Sequence, residues 1–298
     1  MESSIENGGY PISFFVWKEK FCPFQRRGRF GQAQISVYGV SMSSKHDNHS
    51  QASRIRLNRF LAMAGLGSRR GCEQLIRRRE VFVNGVPAEH PGMLVHPEQD
   101  EVKWQGRVIR PLARRYLVLY KPPGYTCSLA DPFAEHLIHE LYSQYADAGL
   151  FPVGRLDRES EGLLLVTNDG DFAHYIMHPR HQVEKEYHVQ IVNAPPRLIE
   201  EGMARIRKGI RDEGEFLKPR EIALLREEHS TCWLRMILNE GKKREIRRLC
   251  KAVGWVLTRL VRVRIGNLEV GDLQPGTYRE LSAQDLTRYF GWAPDNGR

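Results

Sequence analysis

The stretch FPVGRLDRESEGLLLVTNDG, residues 151–170, is the most informative part of this chain. It places Asp157 in a short Gly-Arg-Leu-Asp segment, just before a continuous apolar run at residues 163–166. The run is closed by Asn-Asp-Gly at 168–170, and this pattern predicts a buried strand that ends in a turn. Gly162 directly precedes the run, where a missing side chain lets another backbone come close.

Asp157 lies at the mouth of the predicted strand, between Arg155 and Arg158. An ionisable group is costly to bury there unless it has a partner or a function. Taken alone, such an aspartate is expected to cap a turn or to pair with a neighbouring arginine. The other motifs of the chain change that expectation.

The charge of the chain points to a polyanionic partner. The 298 residues are 41% hydrophobic and 27% charged, which suits one or two globular domains, and the formal net charge is +9. Between Gly241 and Arg264 there are nine Lys or Arg and one acid, Glu245. Solvated helical faces normally alternate in sign, so this run favours nucleic-acid binding.

The cysteines and the ends of the chain give weaker indications. The five cysteines occur singly, without C-x-x-C or a zinc-like His spacing, which is typical of free thiols in a reducing cytoplasm. The sequence contains no run of 18 apolar residues, so it predicts no membrane-spanning helix. Residues 1–52 are rich in Ser, Gly and Asn and are expected to form a disordered or weakly ordered tail. We expect neither a metal nor a cofactor.

Residues 53–110 are predicted to form a first, small module. Apolar residues recur at helical spacing from Leu57 to Ala64, and Ser68 is placed to cap a second helix. A strand and an Asn-Gly turn follow at residues 81–85. This segment holds eleven Lys or Arg against six acids, a balance that favours an RNA-binding surface over arginines that only maintain solubility. The proposed contacts on the second helix are Arg69, Arg70, Arg77 and Arg78.

Residues 111–294 are predicted to form a second, larger module. Strand patterns recur at 116–120, 163–166, 187–192, 232–238 and 261–265. Helical patterns lie at 135–146, 172–177 and 245–252. Strands outnumber helices and do not alternate strictly with them, so the predicted class is α+β around a mixed, mainly antiparallel sheet.

Several of these stretches resemble one known family in the right order. The segment around Asp157 resembles the catalytic-aspartate motif of the pseudouridine synthases, specifically the ribosomal RNA class often called RsuA/RluB. Residues 120–124 (YKPPG) resemble its first motif, residues 184–187 (EKEY) its tyrosine motif, and residues 241–248 (GKKREIRR) its basic motif. The order helix, helix, strand, Asn-Gly turn in the first module resembles the S4-type RNA-binding domain.

The resemblance implies an enzyme that isomerises a specific uridine in ribosomal RNA to pseudouridine. It favours RNA of the large ribosomal subunit as the substrate. By this resemblance Asp157 is the nucleophile and Tyr187 stacks on the target base. Arg247 is the cation that keeps the aspartate charged. A guanidinium suits that role because it stays protonated when desolvated. Glu245 departs from the family's usual neutral Gln and adds a negative charge near the site.

The resemblance and the charge pattern together predict further RNA contacts and a setting for the protein. The partner is ribosomal RNA or a pre-ribosomal particle, and the protein is expected to be a cytoplasmic monomer. In the second module the predicted RNA-binding residues are Lys121, Arg155, Arg158, Lys242, Lys243, Arg244 and Arg248.

Two other functions compete with this interpretation. One is a non-catalytic S4-type RNA-binding or ribosome-assembly protein that keeps an inactivated synthase fold; the intact set Asp157, Tyr187 and Arg247 argues against it. The weaker alternative is a nucleoside or glycoside hydrolase with Glu161 as a second acid. Paired acids of that kind are usually far apart in sequence, which disfavours the hydrolase.

Overall fold

The computed structural model describes residues 54–192, 195–228 and 231–294. The tail predicted for residues 1–52 therefore lies outside the described residues. Both predicted modules fall within one unit of the chain, Ser50–Arg298.

The first module begins with two helices, α1 (Leu57–Met63) and α2 (Arg69–Arg77). Leu57, Phe60 and Leu61 are fully buried, as their helical spacing predicts. Ser68 accepts a hydrogen bond from the backbone N of Gly71 at 3.1 Å, which confirms the predicted helix cap.

Short strands complete this module. They are β1 (Ile55–Arg56), β2 (Val81–Val83), β3 (Val86–Pro87), β4 (Leu94–Val95), β5 (Val102–Trp104) and β6 (Arg107–Val108). Strand β1 pairs with β4, and the others form a sheet in the order β3-β2-β5-β6. Asn84 and Gly85 join β2 to β3 with φ of 51° and 81°, the conformation that the predicted Asn-Gly turn requires.

The second module is built on one large sheet with a few small ribbons beside it. Its strands are β7 (Tyr116–Lys121), β8 (Tyr125–Thr126), β9 (His136–Leu137), β10 (Phe151–Val153), β11 (Glu161–Thr167), β12 (Lys185–Val192), β13 (Ile210–Asp212), β14 (Glu215–Leu217), β15 (Glu221–Glu228), β16 (Thr231–Leu238), β17 (Val256–Ile265), β18 (Leu268–Glu269) and β19 (Tyr278–Glu280).

The large sheet has the order β15-β16-β12-β17-β11-β7-β19, with β10 paired to β11 and β18 to β17. Strands β11 and β17 run parallel, and their other pairings in this sheet are antiparallel. The predicted α+β class with a mixed, mainly antiparallel sheet is therefore confirmed.

Helices cover both faces of the sheet. They are α3 (Gly170–Met177), α4 (Pro196–Lys208), α5 (Glu245–Ala252) and α6 (Ala283–Phe290). Helices α4 and α5 pack on one face in a cluster that includes Leu164, Leu249 and Tyr187. Helices α3 and α6 pack on the other face around Leu163 and Phe172. Because β11 is covered on both sides, all seven of its residues are buried.

Gly162 is required where β11 meets β17. Its φ is 104°, and a Cβ at this position would lie 2.2 Å from the carbonyl oxygen of Arg262. Any larger residue would push the two strands apart. The close backbone approach expected at Gly162 is confirmed.

One predicted helix is wrong in type. Residues 135–146 do not form an α-helix; 3-10 turns span Ile138–Ala148 instead, with non-helical dihedral angles at Tyr142 and Tyr145. Buried Ile138 and Tyr142 anchor this segment to the sheet, so tertiary packing overrides the helical pattern. Helices α4 and α6 were not predicted. In the part of the chain that the structure describes, no helix is long and apolar enough to cross a membrane.

Candidate active site

Asp157 lies in the connection between β10 and β11, at the end of the buried strand. The backbone N of Ser160 donates to the Asp157 carbonyl at 3.0 Å, which closes a tight turn. Leu156 is buried beneath this turn, and its backbone N lies 3.5 Å from the Cys127 sulfur. The turn therefore presents the Asp157 side chain, which is 31% exposed, at the edge of the sheet.

Lys121 fixes the same turn from below. Its ammonium donates to the carbonyl oxygens of Pro122, Arg158 and Ser160 at 2.9, 3.1 and 2.7 Å. The side chain is fully buried, and burial lowers the pKa of Lys121 to about 8, although the nearby Cys127, Glu159, Glu161 and Asp157 oppose that shift. The prediction that Lys121 contacts RNA is therefore wrong: it holds the backbone that carries Asp157.

Arg247 is the cationic partner of Asp157. It lies on α5, and its Nε donates to Asp157 Oδ2 at 3.1 Å. Its side chain is only 19% exposed. A guanidinium at this distance holds and orients the carboxylate through a charge-assisted hydrogen bond. The structure thus brings together the two residues for which the sequence proposed this pairing.

Ser160 is a further member of the site that the sequence did not single out. Its side chain is buried, and its Oγ accepts a hydrogen bond from Arg247 Nη2 at 3.2 Å. The acceptor fixes the orientation of the guanidinium toward Asp157. The sequence could have indicated Ser160 only by its position three residues after Asp157, within one turn of the chain.

Tyr187 is buried on β12. It belongs to the apolar cluster that also contains Leu156 and Ile246, the residues that directly precede Asp157 and Arg247. Across the sheet it is paired with Met236 on one side and Arg262 on the other. An aromatic side chain at an active site can form one wall of a pocket for a planar base.

Glu245, at the start of α5, is not exposed to solvent at the site. It is buried, and its carboxylate accepts a hydrogen bond from the backbone N of Lys242 at 3.3 Å. Burial raises the pKa of the Glu245 carboxyl, with the backbone N–H of Lys242 opposing that shift. The raised pKa moves Glu245 toward the neutral form that a Gln has at every pH.

Arg248 has a structural role. Its guanidinium binds Asp212 Oδ2 and Glu215 Oε2, both at 2.5 Å, on the β13–β14 hairpin. These two carboxylates raise the pKa of Arg248. The hairpin occupies the donors of Arg248, so its predicted contact with RNA stays a prediction. The turn at residues 212–215, for which the sequence suggested no chemistry, anchors α5.

The remaining basic-motif residues line an open groove beside Arg247. Lys243 and Arg244 are exposed, and the groove, of about 660 Å³, also includes Lys251 and Trp255. Lys242 is partly engaged: its ammonium donates to the Phe216 carbonyl and lies 3.1 Å from Glu240. Among these residues, Lys243 and Arg244 are the ones placed to meet solvated phosphates.

Arg155 and Arg158 flank Asp157 and are both exposed. Arg158 Nη2 binds Glu135 at 2.9 Å, and its Nε lies 3.3 Å from the Gly124 carbonyl. Arg158 therefore ties the turn that carries Asp157 to the loop that follows β8. Arg155 stands on the other side of Asp157, toward solvent.

The arginines of α2 are exposed, and two of them face the second module. Arg69 and Arg70 line a cleft of about 840 Å³ that also includes Leu129 and Tyr142. Arg77 and Arg78 lie at the far end of α2. An ion pair between Arg59 and Asp171 joins the two sides of the cleft.

Glu161 does not act as a second acid at the site. It is buried, and its carboxylate binds Arg259 at 2.9 Å and the Tyr120 hydroxyl at 3.1 Å. Within the described residues, no group of three or more His, Cys, Asp or Glu is arranged to hold a metal ion.

Comparisons with known proteins agree with this geometry. The family model described as RNA pseudouridylate synthase matches residues 115–252, and the S4 domain model matches residues 55–102.

An uncharacterized RNA pseudouridine synthase of Aquifex aeolicus is 37% identical over 237 residues, covering 79% of this chain and 94% of that protein. The ribosomal large subunit pseudouridine synthase B of Bacillus subtilis is 31% identical over 245 residues, covering 82% and 98%. A crystal structure of a pseudouridylate synthase superimposes with a TM-score of 0.55 at 27% identity, over 79% of this chain and 99% of that one. The chain belongs to the RNA pseudouridine synthase family and is an enzyme of that family, with an S4 domain ahead of the synthase domain.

Proposed function

We propose that this enzyme isomerises a specific uridine in ribosomal RNA, in the large subunit, with Asp157 as its nucleophile. The observation that carries the proposal is the hydrogen bond from Arg247 Nε to Asp157 Oδ2 at 3.1 Å, made at the end of a buried strand. The printed name of the Bacillus subtilis relative, a ribosomal large subunit enzyme, supports the choice of substrate.

The reaction breaks the bond between N1 of uracil and C1′ of the ribose and forms a bond from C5 of the base to C1′. The C5 proton is lost, N1 gains a proton, and no electrons enter or leave. A carboxylate can act as nucleophile on either the sugar or the base. Arg247 holds the Asp157 carboxylate, and Ser160 fixes the orientation of the Arg247 guanidinium.

The target base must leave its stack before Asp157 can reach it. Tyr187 is proposed to stack on the extruded uracil, which offsets about 1–3 kcal/mol of the unstacking cost. Exposed Arg155 is proposed to fill the vacated position in the RNA, and Arg158 to contact the adjacent phosphate.

Binding of the RNA is proposed to involve both modules, which we place at residues 53–110 and 111–294. On the S4 side Arg69, Arg70, Arg77 and Arg78 contact phosphates, and on the synthase side Lys242, Lys243 and Arg244 do so. The enzyme is proposed to act as a monomer in the cytoplasm, on ribosomal RNA or a pre-ribosomal particle.

The competing functions explain the geometry less well. A hydrolase needs a second acid with a free carboxylate, and Glu161 is held by Arg259 and Tyr120. A non-catalytic RNA-binding protein has no need for a strand-end aspartate held by a partly buried arginine.

Pseudouridine mapping tests the proposal. Ribosomal RNA from cells with and without the protein is compared, and a strain that carries the Asp157→Asn variant serves as the matched control. We expect one large-subunit position to lose its pseudouridine in both altered strains. Unchanged ribosomal RNA, or restoration of the modification by Asp157→Asn, would contradict it.

A further inference from the structure

The loop between β8 and β9, residues 127–135, carries the most exposed large apolar side chain of the described residues. Phe133 is 95% exposed, and Leu129 on the same loop is 51% exposed. Single exposed apolar residues are common on protein surfaces, so exposure alone has no functional meaning. The position of this loop is what suggests a function for Phe133.

The loop is joined to the turn that carries Asp157. Arg158, the next residue after the aspartate, binds Glu135 at 2.9 Å. Directly before β8, the backbone N of Gly124 donates to the Arg158 carbonyl at 2.8 Å. Phe133 is two residues from Glu135, so their Cα atoms lie within about 7 Å of each other. Phe133 therefore belongs to a loop that Arg158 joins to the turn carrying Asp157.

The loop is also internally ordered. Asp131 Oδ1 accepts a hydrogen bond from the backbone N of Phe133 at 3.0 Å, and the Asp131 carbonyl accepts one from Ala134 at 3.2 Å. Strands β8 and β9 close its base, where the rings of Tyr125 and His136 stack with centroids 5.1 Å apart. A phenylalanine presented from an ordered loop loses little conformational entropy when it meets a flat partner.

The substrate of the family indicates what that partner is. The chain belongs to a family of RNA pseudouridine synthases, so an RNA base is the flat partner available to this exposed ring. Sequence-specific RNA recognition uses unpaired bases that stack on aromatic side chains.

We propose that Phe133 stacks on an unpaired base of the substrate RNA that neighbours the target uridine. This inference rests on the proposed function, because it places the base next to the nucleotide held at Asp157. It makes Phe133 a residue that selects substrates with an unpaired nucleotide at that position.

The test is a double-mutant cycle in the full-length protein. Wild type and Phe133→Ala are titrated with the target RNA and with RNAs that carry one abasic site at each unpaired position near the uridine. On intact RNA, Phe133→Ala should weaken binding about 5- to 100-fold, the value expected for one lost stack. Phe133→Trp should restore binding, and the single-turnover rate at saturating RNA should stay close to that of wild type.

The abasic RNAs and a control variant decide the outcome. At one position the abasic site should remove the difference between wild type and Phe133→Ala. Leu198→Ala, which truncates a half-exposed apolar side chain on α4, should leave binding unchanged. The inference is overturned if Phe133→Ala binds like Leu198→Ala, if its loss is equal on every abasic RNA, or if the loop binds a protein and not RNA. Failure of the wild type to form pseudouridine would instead overturn the proposed function.

Discussion

Arg247 and Asp157 are 90 residues apart in the sequence, yet Arg247 Nε donates to Asp157 Oδ2 at 3.1 Å. The pairing depends on β11 and β17 running side by side, since α5 precedes β17 and the Asp157 turn precedes β11. Gly162 permits the close approach of these strands. The fold thus positions the one pair of groups on which the proposed chemistry depends.

Replacing Arg247 with Met should greatly reduce activity. The pair is partly buried, so its loss should cost about 2–4 kcal/mol, between the values for exposed and fully buried pairs. That corresponds to a roughly 30- to 1,000-fold lower single-turnover rate. Lys243→Met is the matched control, because Lys243 is four residues away and exposed. Equal rates for the two variants would contradict the assignment.

Replacing Arg248 with Met should affect stability more than RNA binding. The change removes the contacts to Asp212 and Glu215, so the melting temperature should fall. The dependence of RNA affinity on salt should match that of wild type, whereas Lys243→Met should reduce the salt dependence without lowering the melting temperature. A shallower salt dependence in the Arg248 variant would show that this residue binds phosphate after all.

Replacing Glu245 with Gln should stabilise the protein at high pH. The pKa of Glu245 is raised in the folded state, so its favourable contribution is present at low pH and is lost as pH rises through that pKa. Gln is neutral throughout. The variant should melt like wild type near pH 4 and a few degrees higher near pH 8, with activity retained. A lower melting temperature at both pH values would mean that the charged carboxylate stabilises α5.

Neutralising the α2 arginines should weaken RNA binding in a salt-dependent way. In a variant with Arg69, Arg70, Arg77 and Arg78 all changed to Gln, each lost phosphate contact should lower the slope of log affinity against log salt by about 0.7–0.9. Titration of RNA at several salt concentrations measures the slope. The rate at saturating RNA should be close to that of wild type. An unchanged slope would show that α2 does not touch the RNA backbone.

The sequence predicted much of the fold because its signals are local. The Asn84-Gly85 turn, the Ser68 cap and the buried strand after Asp157 each depend on neighbouring residues. The 3-10 turns of Ile138–Ala148 were missed because burial of Ile138 and Tyr142 decides their geometry.

The unforeseen structural roles of two cations at the site have the same origin. Lys121 and Arg248 look like RNA contacts in the sequence because both are cations in or beside basic motifs. Their partners come from distant segments: carbonyls of the Asp157 turn for Lys121, and a hairpin more than thirty residues away for Arg248. Such pairings need the folded chain. Arg247 was identified only because a resemblance marked it.

The central claim is that Asp157 is the nucleophile, and tritium release from RNA labelled at C5 of uridine tests it most directly. Asp157→Asn keeps the shape of the side chain but lacks the charge, and phosphate contacts supply most of the affinity for RNA. We predict RNA binding within a few-fold of wild type and no release above background, since loss of an essential group costs several powers of ten. Release above about one per cent of the wild-type rate would contradict the account.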